Sequence, residues 1–226
     1  MSYTEILETE YGRMLVNRHD INQTGALRRD GRAVACEEIE QLNAIVRERG
    51  PDAVVADVGA NFGTFSLALA KSAALVLAFE PQRIIFNMLM GSVALNAVEN
   101  VYGYNLAVGD QNSEIVVPWI DYHRSNNFGS LELCNSGNRR DYVKMIRLDS
   151  LALPRLDVLK IDVEGMELEV LVGARGTITR CHPAMFVEVL KCNPAAVKQE
   201  LTELGYAYTS VGDNLLCKHA NDGAEG

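Results

Sequence analysis

Short, almost wholly apolar runs alternate with longer amphipathic ones through the middle of the chain, and this rhythm restricts the fold more than any other feature. Residues 53–58 (AVVADV), 74–79 (ALVLAF), 101–106, 157–161 and 184–190 read as strands. Residues 63–72, 82–96, 166–173 and 195–204 read as helices between or after them. A strand that is apolar on both faces must be covered on both faces, so the pattern predicts a mostly parallel sheet between two layers of helices. Residues 206–210 and 215–218 read as two closing strands without a long helix between them, which predicts an antiparallel hairpin at the sheet edge. The expected fold is therefore α/β and Rossmann-like, with seven strands.

Two regions break the rhythm. Residues 1–50 hold a strand-like run at 13–17, a polar turn region and a helix at 37–49, stopped by Gly50-Pro51. They are expected to form an N-terminal cap. Residues 51–220 form the main domain, with a turn-rich insertion at about 111–147 that carries strands near 114–119 and 142–147. The tail, 221–226, is expected to be disordered.

Composition excludes several classes. Hydrophobic residues make up 48% and charged residues 23%, a globular balance. The net charge of -9 disfavours binding to a phosphate backbone, so no nucleic-acid partner is expected. Two local basic clusters, Arg28/Arg29/Arg32 and Arg139/Arg140/Lys144, read as solvated loop charge. The five cysteines, Cys36, Cys134, Cys181, Cys192 and Cys217, form no C-x-x-C pair, which fits scattered thiols in a reducing cytoplasm. The acidic, polar start is unlike a secretory signal, and no apolar run reaches membrane-spanning length.

The chemistry begins at Asp57-Val58-Gly59-Ala60-Asn61-Phe62-Gly63, between the first strand and the first helix. Glycine there lets a ligand approach the backbone. Glu80 follows Gly59 by 21 residues, at the end of the second strand, where a carboxylate can accept two hydrogen bonds from a ribose diol. The loop is G-x-x-x-G rather than the G-x-G-x-x-G of dinucleotide sites, and no G-K-[ST] follows. An anionic Asp57 at its mouth suits a cofactor with an ammonium and a sulfonium better than a diphosphate.

These motifs resemble the FkbM-type methyltransferases. Besides the 57–63 loop, the matches are Ala78-Phe79-Glu80-Pro81, Asn96 with Asn100-Val101, Ala107-Val108-Gly109-Asp110 and Leu148-Asp149-Ser150-Leu151, the last as a strand. The most distinctive block is Lys160-Ile161-Asp162-Val163-Glu164-Gly165-Met166-Glu167, followed by Val170-Leu171, Gly173-Ala174-Arg175 and then Glu188. The resemblance covers about 54–206 and departs at Gln82-Arg83, where the family often has Asn-Pro. Residues 111–147 match poorly, so the acceptor does not transfer. The resemblance implies a class I methyltransferase fold, S-adenosylmethionine as cofactor, and O-methylation of a hydroxyl on a carbohydrate or specialised metabolite.

The expected cofactor residues are Asp57, Gly59, Asn61, Gly63, Glu80, Pro81, Ala107 and Asp162, with Leu106 and Val108 flanking the adenine. The candidate catalytic residues are Asp162, Glu188 and His123. Asp162 ranks first, because Glu164 is expected to cap the following helix; Asp162 and Glu188 are the ligands if a divalent ion binds. The insertion residues Trp119, Tyr122, His123, Asn126, Asn127, Phe128 and Gly129 are expected to shape the pocket for a small-molecule or glycan acceptor, together with the N-terminal cap. Two other readings stand beside this one: a non-catalytic S-adenosylmethionine-binding module, and an NAD-dependent oxidoreductase, which the glycine spacing disfavours.

Overall fold

A computed structural model describes residues 2–130 and 140–220. The chain opens with β1 (Thr4–Thr9), β2 (Gly12–Asn17), α1 (Gln23–Asp30) and α2 (Cys36–Glu48). Then come β3 (Val54–Val58), α3 (Thr64–Leu69), β4 (Leu75–Phe79), α4 (Arg83–Leu95) and β5 (Val101–Tyr104). The insertion region contributes β6 (Ala107–Val108), β7 (Ser113–Pro118) and β8 (Arg140–Ile146). After a 3-10 turn at Leu148–Leu151 follow β9 (Val158–Ile161), α5 (Glu167–Gly173), α6 (Arg175–Cys181) and β10 (Ala184–Glu188). The chain closes with α7 (Pro194–Glu203), β11 (Tyr206–Val211) and β12 (Asn214–His219).

Seven strands form one sheet in the order β11-β12-β10-β9-β3-β4-β5. The pairs β10/β9, β9/β3, β3/β4 and β4/β5 are parallel; β12 is antiparallel to both β10 and β11. The closing hairpin thus inserts its second strand beside β10 and leaves β11 at the edge. Alternate strand residues feed two cores. Val55, Val76, Ala78, Val158 and Phe186 pack with Leu42, Leu67 and Leu89, whereas Ala56, Leu77, Leu159, Met185 and Val187 pack with Leu171, Ile178 and Leu201. That two-sided burial is why the strands are apolar without interruption.

Several elements differ from the sequence expectations. The acidic start forms β1, paired antiparallel with β2 along its whole length. Its partly buried alternation sits under charged neighbours, which hid the period. The polar stretch after residue 17 contains the helix α1, whose low mean hydropathy masked it. The third strand stops at Tyr104 instead of 106: the Asn105 side chain donates to the Glu80 and Pro81 carbonyls, and Ala107–Val108 pair with β8 in a separate three-stranded sheet. Residues 148–151 are a 3-10 turn and not a strand; the Asp149 carboxylate accepts the Gly176 and Thr177 amides and so starts α6, a helix not anticipated.

The N-terminal elements are stitched to the sheet domain. Asn96, at the end of α4, accepts the Arg13 amide at 2.8 Å and donates to the Arg13 carbonyl, and Ser92 accepts the Leu15 amide. The Asp20 carboxylate accepts the amides of Thr24 and Phe128, and the backbone of 19–21 bonds to Asn126. Arg28, Arg29 and Arg32 are paired with Glu5, Asp30, and Glu10 with Glu40, respectively, so the first basic cluster is neutralised. Arg139, Cys134 and the tail 221–226 lie outside the described residues. No helix among the described residues is long and apolar enough to cross a membrane.

Candidate active site

The carboxyl ends of β3, β4, β9 and β10 open on a cavity of about 270 Å³. This is where open α/β sheets place ligands. Gly59 forms its floor. The backbone there has φ +83°, and a Cβ would lie 1.7 Å from the Asp162 carbonyl oxygen, so the turn after β3 passes too close to the end of β9 for any side chain. The Gly59 and Ala60 amides both donate to the Phe79 carbonyl, which fixes the turn against β4.

Glu80 stands at one end of the cavity. Only 4% exposed, its carboxylate accepts the Asn61 amide at 2.9 Å and the Gln82 amide at 2.8 Å. Burial pushes its proton affinity up to about 7, against those two amides and Lys160, which act to lower it. Each carboxylate oxygen keeps a further lone pair for a ligand hydroxyl. Asn61, at φ +49°, lines the cavity, and its amide oxygen has no hydrogen-bond partner among the described residues.

At the other end, two and three strands away, Asp162, Glu164 and Glu188 bring carboxylate oxygens within 4.8 Å of one another. Two have a cation. The Lys160 ammonium lies 3.4 Å from Asp162, and Lys191 pairs with Glu164. Glu188 has no cation within ion-pair distance among the described residues. Burial first, then the charges of Asp162 and Glu164, push its proton affinity up to about 8. Glu164 does not cap α5, as the sequence reading expected. Glu167, 1% exposed, holds the turn that leads into the helix instead: its carboxylate accepts the Val163 and Gly165 amides at 3.1 Å each, while Glu164 faces the cavity.

The residues expected from sequence fall into two groups. Gly59, Asn61, Glu80, Pro81, Leu106, Ala107, Val108, Asp162 and Glu188 all line the cavity. Asp57, Gly63 and His123 do not. Asp57 is fully buried one layer below: it accepts Ser66 Oγ at 2.6 Å and lies 3.3 Å from Lys160 Nζ, which donates to the Gly59 carbonyl at 2.8 Å. It supports the loop from beneath and does not line the cavity. Burial acts to lower the Lys160 proton affinity, but Asp57 and Asp162 outweigh it and hold the ammonium charged. Gly63 sets the left-handed entry to α3. His123 is exposed, with its ring 5.0 Å from that of Tyr3. The insertion reaches the cavity through Asn127, Gly129 and Ser130; Phe128 is buried in the core behind them, and Trp119 is 44% exposed elsewhere.

Sequence reasoning missed three contributors. Gln82, the departure from the family pattern, donates through its side chain to the Phe128 carbonyl at 2.9 Å and so ties the insertion to the Glu80 corner. The N-terminal cap was expected at the pocket, but not the residues that bring it there: Asn22, Gln23, Val34 and Ala35. Lys191 crosses to Glu164 and Ser130. Its only sequence signal was a position three residues past a strand end.

This strand order, with its ligand cavity at the carboxyl ends around a glycine turn and an acidic residue on the next strand, is the class I S-adenosylmethionine methyltransferase fold. Two solved structures share it. A methyltransferase FkbM from Methylobacillus flagellatus superposes with a TM-score of 0.55 at 16% identity, covering 75% of this chain and 44% of its own. The magnesium protoporphyrin IX methyltransferase of Synechocystis, solved with bound S-adenosylmethionine, superposes at 0.50 and 13% identity, over 81% and 79% of the two chains. The chain belongs to the FkbM methyltransferase family: the model of the methyltransferase FkbM domain matches residues 57–208. Among curated proteins, the hexuronic acid methyltransferase AglP of Haloferax volcanii is 30% identical over 144 residues, 60% of this chain and 56% of AglP. The AMB antimetabolite synthetase AmbE of Pseudomonas aeruginosa is 31% identical over 165 residues, 54% of this chain and 8% of AmbE. The chain therefore spans little more than half of one relative and a small part of the other.

Proposed function

We propose that this protein binds S-adenosylmethionine in the cavity and methylates a hydroxyl oxygen of a carbohydrate or specialised metabolite. The observation that carries this reading is the pairing of a desolvated nucleoside-type carboxylate, Glu80, with an unpaired carboxylate, Glu188, along one wall. The residues present fit the cofactor. Among the described lining residues, Asp162 and Glu164 are offset by Lys160 and Lys191, while Glu80 and Glu188 are carboxyls that a cationic ligand would favour in the ionised form. The Asn61 oxygen, unpartnered among the described residues, is a further acceptor for an ammonium or hydroxyl.

When bound, the cofactor would supply an electrophilic methyl group on a sulfonium, with S-adenosylhomocysteine as the leaving group. The chain's own part is to position and to take a proton. Glu80 holds the ribose diol, Leu106 to Val108 flank the base, and Glu188 accepts the acceptor's hydroxyl proton, because a neutral alcohol is a poor nucleophile. The hexuronic acid named for AglP and the antimetabolite named for AmbE support these two acceptor classes. The test is a labelled-methyl screen across sugars, uronic acids and hydroxylated metabolites, run beside calorimetry with S-adenosylhomocysteine and NAD. Tight S-adenosylhomocysteine binding without transfer to any acceptor would favour a binding module; preference for NAD would end the reading.

Glu80→Ala is expected to weaken S-adenosylhomocysteine by about 1.5–3 kcal/mol, as for hydrogen bonds to a charged group. Wild-type affinity should also rise as pH passes upward through about 7, since hydroxyl donors need the ionised carboxylate. The same group carries the opposite sign for folding. Its proton affinity is raised from 4.5 in the folded state, so its contribution to stability falls as pH rises from 4.5 to about 7. Calorimetry across that range decides: equal affinities for wild type and variant, or a flat wild-type profile, would remove Glu80 from the site.

The carboxylate cluster works here with protons. Asp162 and Glu164 already have lysines, so turnover should survive treatment with a chelator unchanged. Loss of activity that magnesium restores would instead assign the cluster to a divalent ion.

A further inference from the structure

Lys191 is the junction between the two halves of the cavity wall. It leaves the turn after β10, and its ammonium reaches Glu164 in the turn after β9. It also donates to the Ser130 carbonyl at 3.2 Å and to the Ser130 hydroxyl. Its ammonium thus meets one carboxylate and two oxygens of Ser130. The pair with Glu164 is not a free surface contact, because the two side chains are only 21% and 19% exposed.

Both ends need holding. Glu164 sits at φ +62°, the left-handed region that a side chain of this size rarely adopts, and Gly165 follows at +113°. Its carboxylate faces those of Asp162 and Glu188, like charges that push it towards solvent. On the other side, residues 127–130 are anchored where the buried Phe128 donates to Asp20 and accepts from Gln82. Asn127, Gly129 and Ser130 line the cavity, and Lys191 binds Ser130.

We propose that Lys191 is a positioning residue: by gripping Glu164 and Ser130 together, it fixes the carboxylate cluster against the strip of residues 127–130 at the cavity. Resting on the methyl-transfer reading, this assigns Lys191 to setting the gap between the acceptor hydroxyl and Glu188. It touches neither reacting atom. The network runs from Glu80 through Gln82, Phe128 and Ser130 to Lys191 and Glu164, so the cofactor corner and the carboxylate cluster are joined across the cavity by one chain of contacts.

The experiment compares wild type, Lys191→Met and Lys191→Arg by hydrogen exchange over residues 126–130, by kcat, and by calorimetry with S-adenosylhomocysteine. Lys191→Met should speed exchange in the strip and lower kcat by about 100-fold, the cost of a small misplacement of reacting groups. S-adenosylhomocysteine affinity should stay at the wild-type value. Lys191→Arg, which keeps the charge and several donors, should restore both exchange and turnover. Unchanged exchange or unchanged kcat in Lys191→Met overturns the proposal. So does an Arg variant as impaired as the Met variant, or cofactor affinity that falls in step with kcat. If wild type methylates no acceptor, the methyl-transfer reading fails by itself, while the exchange data, which need no acceptor, still decide whether Lys191 holds the strip.

Discussion

Glu188→Gln is expected to slow methyl transfer by about 10²–10⁴-fold, the usual effect of removing a general base. The amide keeps the shape of the side chain and cannot take a proton. Cofactor affinity should be nearly unchanged, because β9 and β3 lie between Glu188 and Glu80. Asp162→Asn is the instructive comparison. Asp162 is already engaged by Lys160 at 3.4 Å, whereas burial and the neighbouring carboxylates raise the proton affinity of Glu188. The loss of Asp162 should therefore cost less in turnover than the loss of Glu188. Steady-state rates with one acceptor for both variants make the test; a larger defect in Asp162→Asn would return the base to Asp162.

Gly59→Ala carries the other large effect. The added methyl would meet the Asp162 carbonyl oxygen at 1.7 Å, and the residue would have to hold φ +83°. Neither backbone can retreat easily, since the Gly59 amide is bonded to Phe79 and the Asp162 amide to Val58. Left-handed strain and overpacking together are expected to destabilise the fold by about 2–5 kcal/mol. S-adenosylhomocysteine binding should be lost even in molecules that stay folded, because the cavity floor must move. Thermal melts and calorimetry report the two effects separately. A variant that melts and binds like wild type would mean that the turn is pliable and the close approach unimportant.

The sheet was legible because its cause is local. Residues 53–58 and 74–79 are apolar on both faces, and the glycine turn and Glu80 stand at fixed distances from those strand ends. The cavity lining near the cofactor end followed from the same positions. What stayed hidden depends on contacts distant in sequence. Asp57 looked like a ligand at the mouth of a loop, and only the pairing with Lys160 and Ser66 shows it turned under the floor. His123 had the right chemistry for a base, but its backbone amide is bonded to the Asp121 side chain and its ring packs on Tyr3, a residue 120 positions away. Glu164 and Glu167 could not be told apart by spacing, since each lies at the start of a helix; which one meets the loop amides is a matter of φ at residue 164. Lys191 belongs to no motif, and its partners come from residues 164 and 130.

Lys160 also bears on errors in assembly. In the parallel pairing of β3 with β9 it stands opposite Asp57. A slip of one residue would turn Leu159 or Ile161 to that position and swing the ammonium to the other face of the sheet. Asp57 would then be buried with no cation, and Lys160 would be buried with no anion, a fault worth about 3–5 kcal/mol for one orphaned partner. That is a large share of the stability of a domain this size. Misregistered molecules would unfold and try again, whereas correctly registered ones persist, and the contact that discriminates between them is the one that holds the Gly59 carbonyl. The charge that proofreads the sheet thus also shapes the cavity floor, so a molecule that passes the check has its glycine turn in place.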